Sequence, residues 1–288
     1  MTSVRPRVAT NGRGFLIVWQ QLSAPRAVHA VLINENSSSR ELGAVVTTGL
    51  GEMAEFPAVA SDGNHFLVVW RKFFRFGNGW ARELEGVVVS ETGTVEKAKS
   101  FTEPIYFDTY QAVDLAWNGK DYFLIWQDVQ PGRGPTIRGT IVSPSGEAAH
   151  PRGQVFSYGP NSQTTAAVAF NGSEYLVVWQ DNRFDESEGH SALFGTRVSA
   201  AGKILDPDLI RISQSSSGIP AIATHQREFF VVWGGNPLYA ARVSREGKVL
   251  NGQDILIAMN PRASSAPANL FLRQRSLRLA RETRRDGP

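Results

Sequence analysis

Residues 171–181 read NGSEYLVVWQD: a turn dipeptide, then a strand that is apolar on both faces and ends at Trp179. The block occurs four more times, as GFLIVW ending at Trp19, HFLVVW at Trp70, YFLIWQ around Trp126 and FFVVWG around Trp233. The five tryptophans are spaced by 51, 56, 53 and 54 residues. A repeat just above 50 residues whose unit reads as strands belongs to propeller-type architecture, and no 3.6-residue pattern of a helical solenoid is present. A strand apolar on both faces must be covered on both sides, as a blade is by its two neighbours.

Working outward, each Trp strand (B) follows a strand of small residues (A): Arg7–Ala9, Pro57–Ala60, Val113–Ala116, Ala166–Ala169 and Pro220–Ala223. Asn11-Gly12, Asp62-Gly63, Asn118-Gly119 and Asn171-Gly172 link A to B and permit positive φ in a hairpin. The fifth copy has Gln226-Arg227 instead and predicts a wider turn. Strand C follows at Gly86–Ser90, Gly139–Ser143, Gly195–Ser199 and Ala240–Ser244, with Gly139 and Gly195 as close-packing positions; strand D is clearest at Leu209–Ser213 and Ile255–Ala258. Four antiparallel strands per repeat make a propeller blade, with the Ala-rich strand innermost. The expected fold is an all-β propeller over residues 1–261, with blades at 6–49, 56–105, 111–158, 165–214 and 218–259. It is either a five-bladed wheel or part of a larger one. Trp19, Trp70, Trp126, Trp179 and Trp233 are expected at equivalent buried sites between blades. Pro267–Leu270 falls where a sixth inner strand would start, so residues 262–288 are a degenerate sixth blade or a disordered basic tail.

The 288 residues carry a formal charge of +3, but the excess sits at the end: residues 268–288 have a net +4, which leaves −1 for the rest. The repeat body therefore has no basic excess to follow phosphates, and no nucleic-acid partner is expected. No apolar run suits a membrane helix. There is no cysteine, which excludes disulfides, thiol nucleophiles and cysteine-ligated zinc.

The pattern NG..YLVVWQD.R, then GTRVS..GK.LDP, then I.IS, between Asn171 and Ser213, resembles the Trp-rich β-propeller repeats of large bacterial surface and secreted proteins. That resemblance covers residues 6–258. It implies an extracellular or cell-surface setting, with an export signal upstream of this chain, and an adhesion, carbohydrate-binding or accessory role. Five-bladed propellers of the tachylectin type are similar in blade number only, and the sialidase Asp-box is not met.

Candidate chemistry sits where the repeats differ. The B–C segment of blade two, with Arg71, Phe73, Phe74, Phe76 and Trp80, reads as a basic, aromatic loop suited to a sugar or a protein partner; the plainer alternative is a lid over its own blade. The B–C segment of blade four carries Asp181, Arg183, Asp185, Glu186, Glu188 and His190. Its carboxylates could take calcium, though the Asp-x-Asp-x-Asp-Gly spacing is lacking and a solvated acidic loop is the simpler reading. Gln127-Asp128 and Gln180-Asp181 recur after Trp and read as strand-end hydrogen-bonding pairs. Arg7 and Asp114 place opposite charges near the axis where the other blades have Ala, as an ion pair or as channel lining. The five histidines show no metal-ligand spacing, so no metal site is expected from them. A binding module for carbohydrate or protein, monomeric or part of a larger chain, is the expected function. The alternatives are a structural spacer and a five-bladed glycoside hydrolase, for which only Asp114 offers an inner-strand carboxylate.

Overall fold

The computed structural model describes residues 3–23, 26–46, 51–104, 113–129, 134–157, 163–183, 191–216, 218–234 and 237–259. The expected sixth-strand start at Pro267–Leu270 and the basic tail lie outside them. Blade one comprises β1 (Ser3–Thr10), β2 (Phe15–Gln21), β3 (Val28–Ile33) and β4 (Ser39–Val46); blade two β5 (Met53–Ser61), β6 (His65–Phe76), β7 (Gly79–Ser90) and β8 (Lys99–Ser100). Blade three comprises β9 (Val113–Trp117), β10 (Tyr122–Asp128), β11 (Thr136–Val142) and β12 (Gln154–Val155). Blade four has β13 (Gln163–Phe170), β14 (Glu174–Asp181), β15 (Ser191–Ser199) and β16 (Ile210–Ser216), and blade five β17 (Ala221–His225), β18 (Glu228–Gly234), β19 (Leu238–Val243) and β20 (Ile255–Ala258). Each blade is a four-stranded antiparallel sheet in sequence order. The described residues contain no helix, hence none long and apolar enough to cross a membrane.

The Ala-rich strands β1, β5, β9, β13 and β17 pack on one another in that order, which places them innermost and makes the assembly a β-propeller. In blades one, two and four a bulge interrupts the inner strand, between Val4 and Arg7, Glu55 and Ala58, and Thr164 and Ala167. Phe56 and Thr165 take positive φ there. The extra residue bends the strand locally and lets pairing with strand B continue beyond it.

The A–B turns are built by a side chain as much as by glycine. In blades one to four the last pair of opposed residues encloses four residues, and the first of these, Asn11, Asp62, Asn118 or Asn171, accepts two backbone N–H groups two and three residues on, at 2.6–3.0 Å. The following glycine holds φ between 87° and 99°. Blade five departs from expectation in the opposite sense: His225 pairs directly with Glu228, so the turn is narrower. Without an Asn or Asp acceptor the strands pair further, and Gln226 and Arg227 take φ of 49° and 69° in a two-residue turn.

Between blades lie four apolar clusters, one at each junction from one-two to four-five. The aromatic four residues before each Trp and the Trp itself face the preceding blade: Phe66 and Trp70 meet Leu16, Val18 and Ala30. The residues three and one before it face the following blade, as Phe123 and Ile125 meet Tyr175 and Trp179. Trp70, Trp126, Trp179 and Trp233 are buried as expected. Trp19 is not equivalent: it is partly exposed beside the His29 ring, with centroids 5.7 Å apart. Among the described residues no blade packs against this side of blade one, and nothing plays for Trp19 the part that Leu16 and Val18 play for Trp70.

Strand C glycines are close-packing positions. A Cβ on Gly139 would lie 2.9 Å from both the Leu124 carbonyl oxygen and the Phe156 ring, and one on Gly195 would lie 2.8 Å from the Val177 carbonyl oxygen. In blade three the Phe156 ring, just after the short outer strand, thus presses onto the sheet, and only hydrogen fits beneath it.

Candidate functional site

Blade two differs most from its neighbours. The segment expected as a loop is a hairpin: β6 has 12 residues where β2, β10 and β18 have 7, and it pairs with β7 up to Phe76 opposite Gly79. Gly77 and Asn78 form the two-residue turn, with Gly77 at φ 56°. The aromatic-basic alternation of RKFFRF is strand periodicity, and it gives this arm two chemically distinct faces.

One face is a stack. The Phe73 and Trp80 rings lie 4.7 Å apart and 10° from parallel. Arg82 caps Phe73 at 4.8 Å and Arg75 caps Trp80 at 5.4 Å, both within cation–π range. The Trp80 edge also rests near Gly51. The other face carries Phe74 and Phe76, edge to face at 6.0 Å, with the Lys72 ammonium 5.2 Å from the Phe74 ring. Phe76 is 41% and Trp80 38% exposed, high values for such large apolar groups. At the base, Arg71 donates to Glu55 at 2.7 Å and covers the Phe56 ring, while Arg26 shares the same carboxylate. Arg71 therefore anchors the arm. Lys72 lies 3.1 Å from Glu85 and 3.7 Å from Glu83; burial of Glu83 pushes its carboxyl above the ordinary range.

Asp181 and Arg183 fall into structural roles. The buried Asp181 carboxylate accepts the Trp179 indole N–H at 2.9 Å and binds the Arg183 guanidinium at 2.6 Å, fixing the Trp and closing the strand end. Asp128 meets Arg138 at 2.6 Å at the matching place in blade three. Asp185, Glu186, Glu188 and His190 lie outside the described residues. Among those described, no group of three or more His, Asp or Glu is placed to hold a metal.

At the axis, Arg7 and Asp114 form no ion pair. Asp114 reaches across to blade four and accepts the Val168 N–H at 3.0 Å, besides that of Leu115. Inner strands leave N–H groups unpaired on their axial edge, and Asp114 satisfies one of them. Enclosure by the inner strands pushes its carboxyl up to about 6, against the opposing effects of the Val168 N–H, the Arg7 charge and the Leu115 N–H.

The A–B turns of all five blades also surround one cavity of about 550 Å³, lined by Thr10, Ser61, Trp117, Asn118, Phe170 and His225 among others. The B–C segments that differ between repeats lie at the other end of the blades. No single motif marks this mouth, because its wall takes a few residues from each of five distant turns. Trp117 and Phe170, which stand opposite the strand B aromatic where blades one, two and five have Thr10, Ser61 and Thr224, are the signal that the alignment of inner strands offered.

No protein-family model and no curated protein matches this sequence. Solved structures are similar in fold. The β-propeller domain of the Trilobed protease from Pyrococcus furiosus has a TM-score of 0.50 and 11% identity, over 89% of this chain and 72% of that one. A mutant of Trypanosoma rangeli sialidase displaying trans-sialidase activity gives 0.54 and 12%, over 89% and 48%. A neuraminidase-like protein of a little yellow-shouldered bat isolate from Guatemala gives 0.50 and 11%, over 89% and 83%. At such identities the likeness is one of fold alone: what these proteins share with the chain is the β-propeller.

Proposed function

We propose that this chain is a non-catalytic binding module that docks its partner on the blade-two arm, in the extracellular setting that the repeat resemblance implies. The observation that carries this reading is the extension of β6 and β7 into a hairpin whose Phe76 and Trp80 remain exposed at its end. Exposed Trp and Phe beside preset guanidinium groups are the side chains that dominate binding energy at protein interfaces. A protein partner is favoured over a sugar, because the flat faces of Phe73 and Trp80 are already occupied by each other and by Arg82 and Arg75.

The test is binding of the parent and of the Phe76→Ala/Trp80→Ala variant to a glycan array and to immobilised candidate surface proteins, with thermal unfolding as the control for fold. The expected result is protein binding that falls at least a hundredfold in the variant at an unchanged thermal midpoint, as loss of two anchors of ~1.5–2 kcal/mol each implies. Undiminished binding by the variant would move the site off the arm. Retention on glycans alone would favour the sugar reading. Turnover of aryl glycosides that is lost in Asp114→Asn would favour the hydrolase.

A further inference from the structure

Phe15 is 49% exposed, whereas its counterparts Phe66, Tyr122, Tyr175 and Phe229 are each buried against the preceding blade. Blade five mirrors this on its other side. Phe230 and Val232 hold the positions of Leu176 and Val178, which the next blade buries in blade four, yet they stay partly exposed and belong to no described cluster. Among the described residues, the junction between blades five and one is thus a pair of unfilled half-interfaces.

The half-interfaces do not match each other. At three of the four described junctions a basic side chain donates to a carbonyl in the next blade's C–D turn: Arg40 to Thr92, Lys99 to Ser145 and Arg197 to Arg245. Arg242, opposite Phe230, stands where Arg197 stands opposite Leu176, and it is exposed and bonded to Glu228 of its own blade. Arg197 comes so near the receiving turn that a Cβ on Gly247 would lie 2.8 Å from its Nε. The turn of blade one carries Ser37 at that left-handed position, with φ 61°, where blades two to five have Gly93, Gly146, Gly202 and Gly247. Direct closure of blade five on blade one would drive Arg242 onto the Ser37 side chain. Blade three, by contrast, offers a glycine, Gly146, to an incoming Arg, and on its other side presents Ile141, which lies 3.5 Å from a Cβ on Gly202 and so leaves room for one.

We infer that the seam between blades five and one is an interaction surface for one further four-stranded blade of the same repeat, received on Phe230, Val232 and Arg242 and covering Phe15 and Trp19. The chain has no cysteine, so a thiol placed in the seam reports on it alone. The full chain carrying Phe15→Cys is compared with the same chain in which a copy of residues 104–157, blade three, is inserted after Ala258. Phe66→Cys serves as a buried control. The expected result is maleimide labelling of the Phe15→Cys chain at least tenfold faster than that of the control, falling to the control's rate once the extra blade is present. In parallel, Trp19→Ala should lower the thermal midpoint little in the parent, and by roughly 10 °C in the extended chain, as a buried Trp implies.

Slow labelling of the parent at all concentrations would mean that the chain covers its own seam, and slow labelling only at high concentration that a second copy does. Fast labelling of the extended chain would mean that the blade is not received. Each of these outcomes overturns the inference.

Discussion

Asp114→Asn should stabilise the protein, and only above a definable pH. The carboxyl moves from an ordinary value of 3.8 in the unfolded chain to about 6 in the wheel, principally because the inner strands enclose it. At ~1.4 kcal/mol for each tenfold change in proton affinity, holding it ionised in the folded state costs about 3 kcal/mol. A raised acid sets the sign. Below pH 3.8 both states are protonated and the full stability is present; between 3.8 and 6 the unfolded chain ionises first and stability falls; above about 6 the loss is complete. Asparagine keeps an oxygen to accept the Val168 N–H and carries no charge. Urea unfolding of both proteins from pH 4 to pH 8 should therefore give nearly equal stabilities at pH 4 and an advantage of about 2–3 kcal/mol for Asp114→Asn at pH 7.5. A difference independent of pH would refute the reasoning, as would a variant less stable than the parent at pH 8. The latter would mean that the ionised form is the one the axis stabilises.

Two other substitutions probe how the blades are built. Asp181→Ala removes the acceptor of the Trp179 indole and leaves the Arg183 guanidinium without its carboxylate, so it should cost about 3–5 kcal/mol in chemical denaturation, although a glance at the sequence puts it in a polar loop. Gly139→Ala forces a methyl against the Leu124 carbonyl and the Phe156 ring and should cost about 1–3 kcal/mol; Gly139→Ala combined with Phe156→Leu should recover part of that loss if the ring is what presses.

The blades were legible in the sequence because both strand B and its turn carry chemistry that few other contexts require. An apolar run ending in Trp must be covered twice, and Asn-Gly ahead of it marks the loop, even though the structure uses the Asn side chain in a four-residue loop. The blade-two arm was legible only in composition. Its hairpin signal, Gly77-Asn78 between alternating residues, was present, but Phe73, Phe74 and Phe76 among three basic residues read as a loop because neither face is plainly apolar. Arg71 and Arg183 looked like ligand contacts because they are polar and follow the Trp block, and Asp181 was open to that reading as well as to the strand-end hydrogen-bonding role that it fills. Their partners, Glu55 at a bulge for Arg71 and the indole N–H for Asp181, become visible only when side-chain direction is known. The open seam was hidden for another reason. Phe15 and Trp19 are typical members of their columns, and what sets them apart is a missing neighbour, which no local pattern records.

The direction of the Trp contacts has a consequence for how the chain is made. Every described junction buries the Trp of the later blade in a surface offered by the earlier one. As the polypeptide leaves the ribosome, each newly finished strand B therefore meets a docking face that has already been synthesised, and it need not wait for residues still to come. Assembly can advance one blade at a time from the N-terminal side, with each junction a short-range event of about 50 residues in sequence separation. Such an order favours fast, local contact formation and keeps the largest aromatic of blades two to five out of solvent from the moment it can fold.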